Sequence, residues 1–158
     1  MNKILLLLFV FVCGCVSASD KPEPWGLPDP GELIKASNTL CLDQTKSALL
    51  AAHYAKSGRT REEVLALIPE TPKAFPLRLT SAMRENVEDA FLYPEISQYS
   101  LYSFRAEVCM RETLGAVRTP RLAAVRAEVA QCQKSFGTEK SNELFKCIQA
   151  VVRKAEPQ

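Results

Sequence analysis

Four cysteines after residue 18 constrain the fold of this chain more than any other feature. They are Cys41, Cys109, Cys132 and Cys147, and each stands among apolar residues that recur at helical spacing. In an oxidising compartment, an even number of cysteines in a chain of this size predicts disulfides. Four cysteines allow three pairings, and we prefer Cys41–Cys109 together with Cys132–Cys147.

The second preferred pair would join two helices that meet at Gly137. This glycine comes five residues after Cys132 and ten before Cys147, which at about 1.5 Å per residue predicts an axial mismatch of several ångströms unless the helices tilt. The sequence has no CxxC redox pair and no CxxCH haem motif, and a zinc site would have His53 as its only histidine. We therefore expect structural disulfides, no bound metal and no cofactor.

Residues 1–18 have the three parts of a secretory signal peptide. Lys3 is followed by an apolar run from Ile4 to Val12, and the run is followed by small residues. The run is about nine residues long, whereas a helix that spans a bilayer needs roughly 20. We expect a removable leader, a periplasmic or secreted protein, and no transmembrane segment.

Two processing sites fit this leader. Residues 16–18 are small, as signal peptidase requires, and cleavage after them would make Ser19 the first residue. Alternatively, the stretch VCGC at residues 12–15 resembles a bacterial lipoprotein signal, in which an acylated Cys15 would become the first residue and a lipid anchor. Mass spectrometry of the mature N-terminus distinguishes the two.

The composition favours a single helical domain. Apolar residues make up 47% of the 158 residues, and the 20 Lys and Arg nearly balance the 18 Asp and Glu. A chain with so little net charge is neither disordered by charge repulsion nor strongly attracted to nucleic acid. Residues 19–30 are read as a proline-rich linker, and its Trp25 is expected to pack onto the domain that follows.

Residues 31–155 are expected to form one all-α bundle of five to six helices. Capping signals at Thr60 and at Thr119-Pro120 start two of them, and glycines such as Gly137 stop others. The expected ranges are about 30–57, 61–68, 77–93, 97–114, 120–136 and 139–154. Apolar stripes along these ranges, which include Leu67 and Phe136, are expected to face the core.

Two groups of residues are candidates for a partner surface. Tyr99 and Tyr102 lie three apart in a helix that is also rich in serine, a composition typical of adaptable contact surfaces. Arg118 and Arg121 flank a helix start without an acidic neighbour. The other arginines of residues 105–126 alternate with glutamates such as Glu107 and are interpreted as a solvated, salt-bridged face.

The sequence shows no catalytic constellation. A nucleophile–histidine pair would depend on His53, which lies in the middle of a predicted helix, and no glycine-rich loop is present to hold a phosphate. Adjacent acidic pairs at residues 62–63 and 88–89 are read as helix caps and solvated charges. Two carboxylates that converge in space would still allow a cell-wall hydrolase, which we keep as an alternative.

Residues 40–110 resemble small exported helical proteins of the bacterial envelope that have no assigned activity. The resemblance rests on the segments EEVLALIPE at residues 62–70 and VEDAFLYPE at residues 87–95, followed by Cys109. It implies a helical bundle and an envelope location, and it identifies no functional residue in this chain. We therefore expect a non-enzymatic protein that binds another envelope protein, with a structural lipoprotein acylated at Cys15 as an alternative.

Overall fold

The structure, a computed structural model, describes residues 30–69, 77–116 and 119–155, with the side chains of 39–69, 79–116 and 119–155. This part of the chain is all-α and contains six helices and no strand. The helices are α1 (Pro30–Lys56), α2 (Arg61–Leu65), α3 (Leu77–Leu92), α4 (Gln98–Thr113), α5 (Leu122–Phe136) and α6 (Asn142–Lys154). None of them is both long and apolar enough to cross a bilayer. The predicted leader, the acylation candidate Cys15, Trp25 and Arg118 lie outside the described residues.

The sequence signals predict some helix ends correctly and miss three, one of which is the end of α2 at Leu65, predicted near residue 68. Thr60 forms the expected capping box, because its side chain accepts from the Glu63 amide while the Glu63 carboxylate accepts from the Thr60 amide. The predicted start of α5 at Thr119-Pro120 is wrong by two residues, since Arg121 occupies the N-cap. The predicted start of α6 near residue 139 is also wrong, because Ser141 caps the helix by accepting from the Leu144 amide.

Both predicted disulfides are confirmed. The Cα atoms of Cys41 and Cys109 are 5.5 Å apart and those of Cys132 and Cys147 are 5.9 Å apart, within the usual range for bonded cysteines. The expected axial mismatch of the second pair does not arise. Because α6 begins only at residue 142, Cys132 lies four residues before the end of α5 and Cys147 lies five residues after the start of α6. The two sulfurs therefore meet at the same level.

α1 and α4 form the centre of the bundle. α1 packs against α3 and α4, while α4 also packs against α6, which is paired with α5. Cys41 bonds to Cys109 and the Leu49 carbonyl accepts from Gln98, so α1 and α4 run antiparallel. The small residues Ala48 and Ala52 of α1 are buried, which allows α4 to approach closely. The largest buried side chains, Phe104, Leu101, Leu122, Leu144 and Ile148, extend this core from α4 towards α5 and α6.

Five side chains depart from the predicted pattern of burial, and one of them is Asp89, which was read as a solvated charge but is 18% exposed. Leu67 and Phe136 were expected inward but are 55% and 47% exposed. Leu67 lies in the turn after the short α2, and Phe136 is the last residue of α5, beyond the disulfide that joins α5 to α6. Arg105 and Glu107 were expected on a solvated face, yet they are only 5% and 2% exposed. Oppositely charged partners on other helices compensate both buried charges.

Candidate functional site

Tyr99 and Tyr102 line a groove between α4 and the start of α6. Their rings are half-buried and meet edge to face, with centroids 6.4 Å apart. The groove encloses about 200 Å³, and its other polar and aromatic lining comes from Ser103, Lys140, Ser141, Asn142 and Phe145. The structure thus places the two predicted tyrosines together at a concave surface of α4 and α6.

Local hydrogen bonds fix the walls of this tyrosine groove. The Ser103 hydroxyl donates to the Tyr99 carbonyl at 2.7 Å, and the Ser141 hydroxyl accepts from the Leu144 amide at 3.1 Å. Both hydroxyls are therefore engaged with the backbone of their own helix. The exposed side chains of Lys140 and Asn142 remain at the rim. Aromatic walls with a polar rim are suited to hold an apolar side chain of a partner protein.

A larger cleft lies between α3, α4 and the start of α5. It encloses about 590 Å³. Its floor is formed by buried residues of α4, namely Phe104, Arg105 and Val108. One wall carries the acidic residues of α3, and residues 119–123 form the other. This polar cleft was not predicted, because its residues come from segments that are not adjacent in the sequence.

Arg105 organises the charges on the floor of the polar cleft. Its Nη1 donates to Glu85 at 3.1 Å and its Nη2 donates to Asp89 at 3.1 Å. The Arg105 side chain is 6% exposed, compared with 18% for Asp89 and 62% for Glu85. The Arg105 Nε is buried without an acceptor among the described residues. The floor therefore holds a buried cation that has two carboxylate partners and one spare donor.

Burial raises the pKa of Asp89 from its usual 3.8 to about 6. The attraction of Arg105 opposes this rise, and the nearby negative charge of Glu85 adds to it. The folded protein holds this proton more tightly than the unfolded chain. The contribution of protonated Asp89 to the free energy of unfolding is therefore fully present below about pH 4. It is lost as the pH rises through 6.

We expect the variant Asp89→Asn to reveal this titration. Relative to wild type, its free energy of unfolding should improve by about 1–3 kcal/mol between pH 4 and pH 7.5, because asparagine has no charged form to bury. Urea denaturation at a series of pH values measures the difference. Asp43→Asn, at an exposed position of α1, is the matched control and should show no such change. Stability curves that stay parallel for Asp89→Asn and wild type would contradict the assignment.

Arg121 lies in the polar cleft and not in the tyrosine groove. It is exposed, occupies the N-cap of α5 and makes no capping hydrogen bond with its side chain. The two sites use different faces of α4, since Tyr99, Tyr102 and Ser103 line one and residues 104, 105, 108 and 112 line the other. The structure therefore does not unite the predicted tyrosine and arginine candidates in a single surface.

Glu107 forms a second buried ionic contact that sequence reasoning missed. Its carboxylate accepts from the Arg153 Nε at 2.7 Å and from the Gln149 Nε2 at 2.8 Å. The Arg153 side chain is 58% exposed, so the buried Glu107 carboxylate is paired with an arginine at the surface of α6. The four-residue spacing of Gln149 and Arg153, beside the apolar stripe of α6, was the available signal. Nothing in the sequence identified their partner on α4.

The acidic residues of the polar cleft are largely committed to arginines. Glu85 and Asp89 contact Arg105, and Glu88 contacts Arg61. These contacts form a network of ion pairs along α3.

His53, the only histidine, is exposed on α1. Across the described part of the chain, no three His, Cys, Asp or Glu side chains come together in a way that could hold a metal ion.

Comparison with protein-family models, curated proteins and solved structures finds no match to this chain. The resemblance of residues 40–110 to exported envelope proteins therefore stays a prediction. Functional assignment rests on the two concave surfaces that share α4 and on the covalent framework around them. The two disulfides fit an oxidising compartment.

Proposed function

We propose that this chain is a non-enzymatic exported protein that binds another envelope protein, as an inhibitor, immunity or accessory factor, through the tyrosine groove. The leader-like residues 1–18 and the two disulfides support export to an oxidising compartment. The edge-to-face pair of Tyr99 and Tyr102 is the observation that carries the choice of surface. Tyrosine is among the residues that contribute most to protein–protein affinity.

The scaffold around the groove also supports a binding role. Cys132–Cys147 ties α6, which forms one wall, to α5, and Cys41–Cys109 ties α4, which carries the tyrosines, to α1. Helices held by such cross-links lose little conformational freedom when a partner binds. Less of the binding free energy is therefore lost in ordering the side chains and helices of a preformed groove of this kind. The partner is expected to insert an apolar or aromatic side chain between the tyrosines and to hydrogen-bond the rim at Lys140 and Asn142.

Site-specific photocross-linking in the native envelope tests the proposed surface. We expect a benzophenone side chain at position 102 to yield one discrete cross-linked protein, because this position lies at the groove. The same group at position 136 should yield none, since Phe136 is an exposed aromatic residue outside the groove. Mass spectrometry of the cross-linked band identifies the partner.

A variant with one ring removed gives the quantitative arm of the test. Tyr102→Ala should weaken binding to the identified partner at least tenfold, which corresponds to about 1.4 kcal/mol. Phe136→Ala is the matched control and should leave the dissociation constant unchanged. Equal cross-linking at positions 102 and 136, or an unaltered dissociation constant for Tyr102→Ala, would refute the assignment of the groove as the binding surface.

A further inference from the structure

Seven large apolar side chains are exposed among the residues whose side chains the structure describes, and three of them meet at one end of the α1–α4 pair. Because α1 and α4 run antiparallel, the residues that directly follow Cys41 and Cys109 point to the same side of the two helices. These residues are Leu42, which is 47% exposed, and Met110, which is 43% exposed. Leu114, 72% exposed, lies one turn beyond Met110, and its amide donates to the Met110 carbonyl. The three side chains therefore form one apolar patch, which we call the end patch.

The chain enters α1 close to the end patch. Pro30, the first residue of α1, precedes Cys41 by 11 residues, or about 16 Å along the helix axis. α4 runs towards this end of α1, so Met110 and Leu114 lie about 15 Å and about 9 Å below the level of Pro30. Trp25 precedes Pro30 by five residues, which span at most about 17 Å when extended. A tryptophan at that position therefore reaches the end patch.

The other four exposed apolar side chains lie at the opposite end of the bundle. Leu50 is 20 residues after Pro30, or about 30 Å along α1, and Leu67 lines the same groove as Leu50. Leu92 and Phe136 lie near the start of α4, which is at this same distant end. A five-residue connection from α1 reaches none of these four, so chain length alone selects the end patch.

The segment before α1 has the composition of an apolar anchor. Residues 24–28 have the sequence PWGLP, which includes the only tryptophan of the chain. An indole ring buries a large apolar area and therefore contributes strongly to packing. Prolines on both sides of the tryptophan restrict the undocked segment, so less conformational entropy is lost when it docks. Gly26 supplies the backbone freedom that a reversal of the chain towards α4 requires.

We propose that residues 24–28 fold back along α1 as a strap and that Trp25 packs on the end patch. The indole ring covers Met110 and Leu114 and borders Leu42, and the contact between an aromatic ring and the Met110 sulfur adds to the apolar packing. Tyr102 lies eight residues before Met110, or about 12 Å along α4, so the strap leaves the tyrosine groove open. The strap therefore does not depend on the proposed function of that groove.

Photocross-linking within one molecule tests where the strap lies. A benzophenone side chain at position 25 of the purified protein with its natural N-terminus should cross-link to residue 42 or to residues 110–114 of the same chain. Methionine is a favoured target of benzophenone, so Met110 is the expected main product. Peptide mapping by mass spectrometry locates the new bond. A bond to any other segment, a cross-linked dimer, or no cross-link would overturn the proposal.

Fluorescence of the native Trp25 gives a second test that needs no added group. Its emission should lie at shorter wavelength, and its quenching by acrylamide should be weaker, than in the urea-unfolded chain. The double variant Met110→Gln, Leu114→Gln should shift both quantities most of the way to their unfolded values, while far-ultraviolet circular dichroism stays unchanged. Leu50→Gln with Leu67→Gln, at exposed positions beyond the reach of the strap, is the matched control and should fluoresce like wild type. Unfolded-like emission of the wild type, or wild-type emission of the Met110 and Leu114 variant, would also overturn the proposal.

Discussion

Replacement of both Cys41 and Cys109 by alanine is expected to lower the free energy of unfolding by about 4 kcal/mol. The bond closes a loop of 68 residues, and in the chain-entropy model its loss restores that much conformational freedom to the unfolded chain. Small domains are stable by only about 5–15 kcal/mol, so this loss would remove a large share of the stability. Urea denaturation of the oxidised wild type and the double variant measures the difference.

The second disulfide provides the matched control for this experiment. Removal of Cys132 and Cys147 opens a loop of 15 residues and should cost about 3 kcal/mol, less than the first pair. Far-ultraviolet circular dichroism checks that both double variants keep their helices under native conditions. A loss below about 1 kcal/mol for the Cys41–Cys109 variant would contradict the view that this bond is a main source of stability.

Replacement of Arg105 by leucine is expected to destabilise the fold by about 3–5 kcal/mol at neutral pH. The variant leaves Asp89 partly buried without its cationic partner, and an uncompensated buried charge is costly. Since Asp89 can take up a proton, the loss should shrink as the pH falls below 6. Urea denaturation at pH 7.5 and at pH 5 measures both effects.

An exposed ion pair supplies the control for the Arg105 experiment. Arg126 lies 3.6 Å from Glu95 with half of its side chain exposed, and Arg126→Leu should cost about 1 kcal/mol or less. Addition of Asp89→Leu to Arg105→Leu should recover part of the stability, because the unpaired charge is then gone. Equal losses of stability for Arg105→Leu and Arg126→Leu would show that burial of the Arg105 ion pairs does not affect the free energy of unfolding.

The sequence was sufficient to predict those parts of the fold that depend on local signals. Helical periodicity and the capping box at Thr60 predicted the helices, and the cysteine positions predicted both disulfides. The start of α6 was placed near residue 139, directly after the stop at Gly137, whereas the helix begins at Asn142 with Ser141 as its cap. The expected axial mismatch of Cys132 and Cys147 followed from that error.

The candidate sites depended on contacts between distant segments and were predicted only in part. Tyr99 and Tyr102 were found because they share one helix and lie three residues apart. Arg105 and Glu107 were assigned to a solvated face because their sequence neighbours are charged. Their actual partners, Asp89 on α3 and Arg153 on α6, become neighbours only in the folded bundle. Charge alternation in a helix therefore does not reveal which charged residues the tertiary structure buries.

The order of the disulfides along the chain bears on how the molecule is assembled. Each bond joins cysteines that are consecutive among the four of the described residues, first Cys41 with Cys109 and then Cys132 with Cys147. A polypeptide that enters an oxidising compartment with its N-terminus first presents these thiols in the same order. For such a polypeptide, a donor that oxidised each pair as it emerged would produce the native bonds directly, without correction by an isomerase.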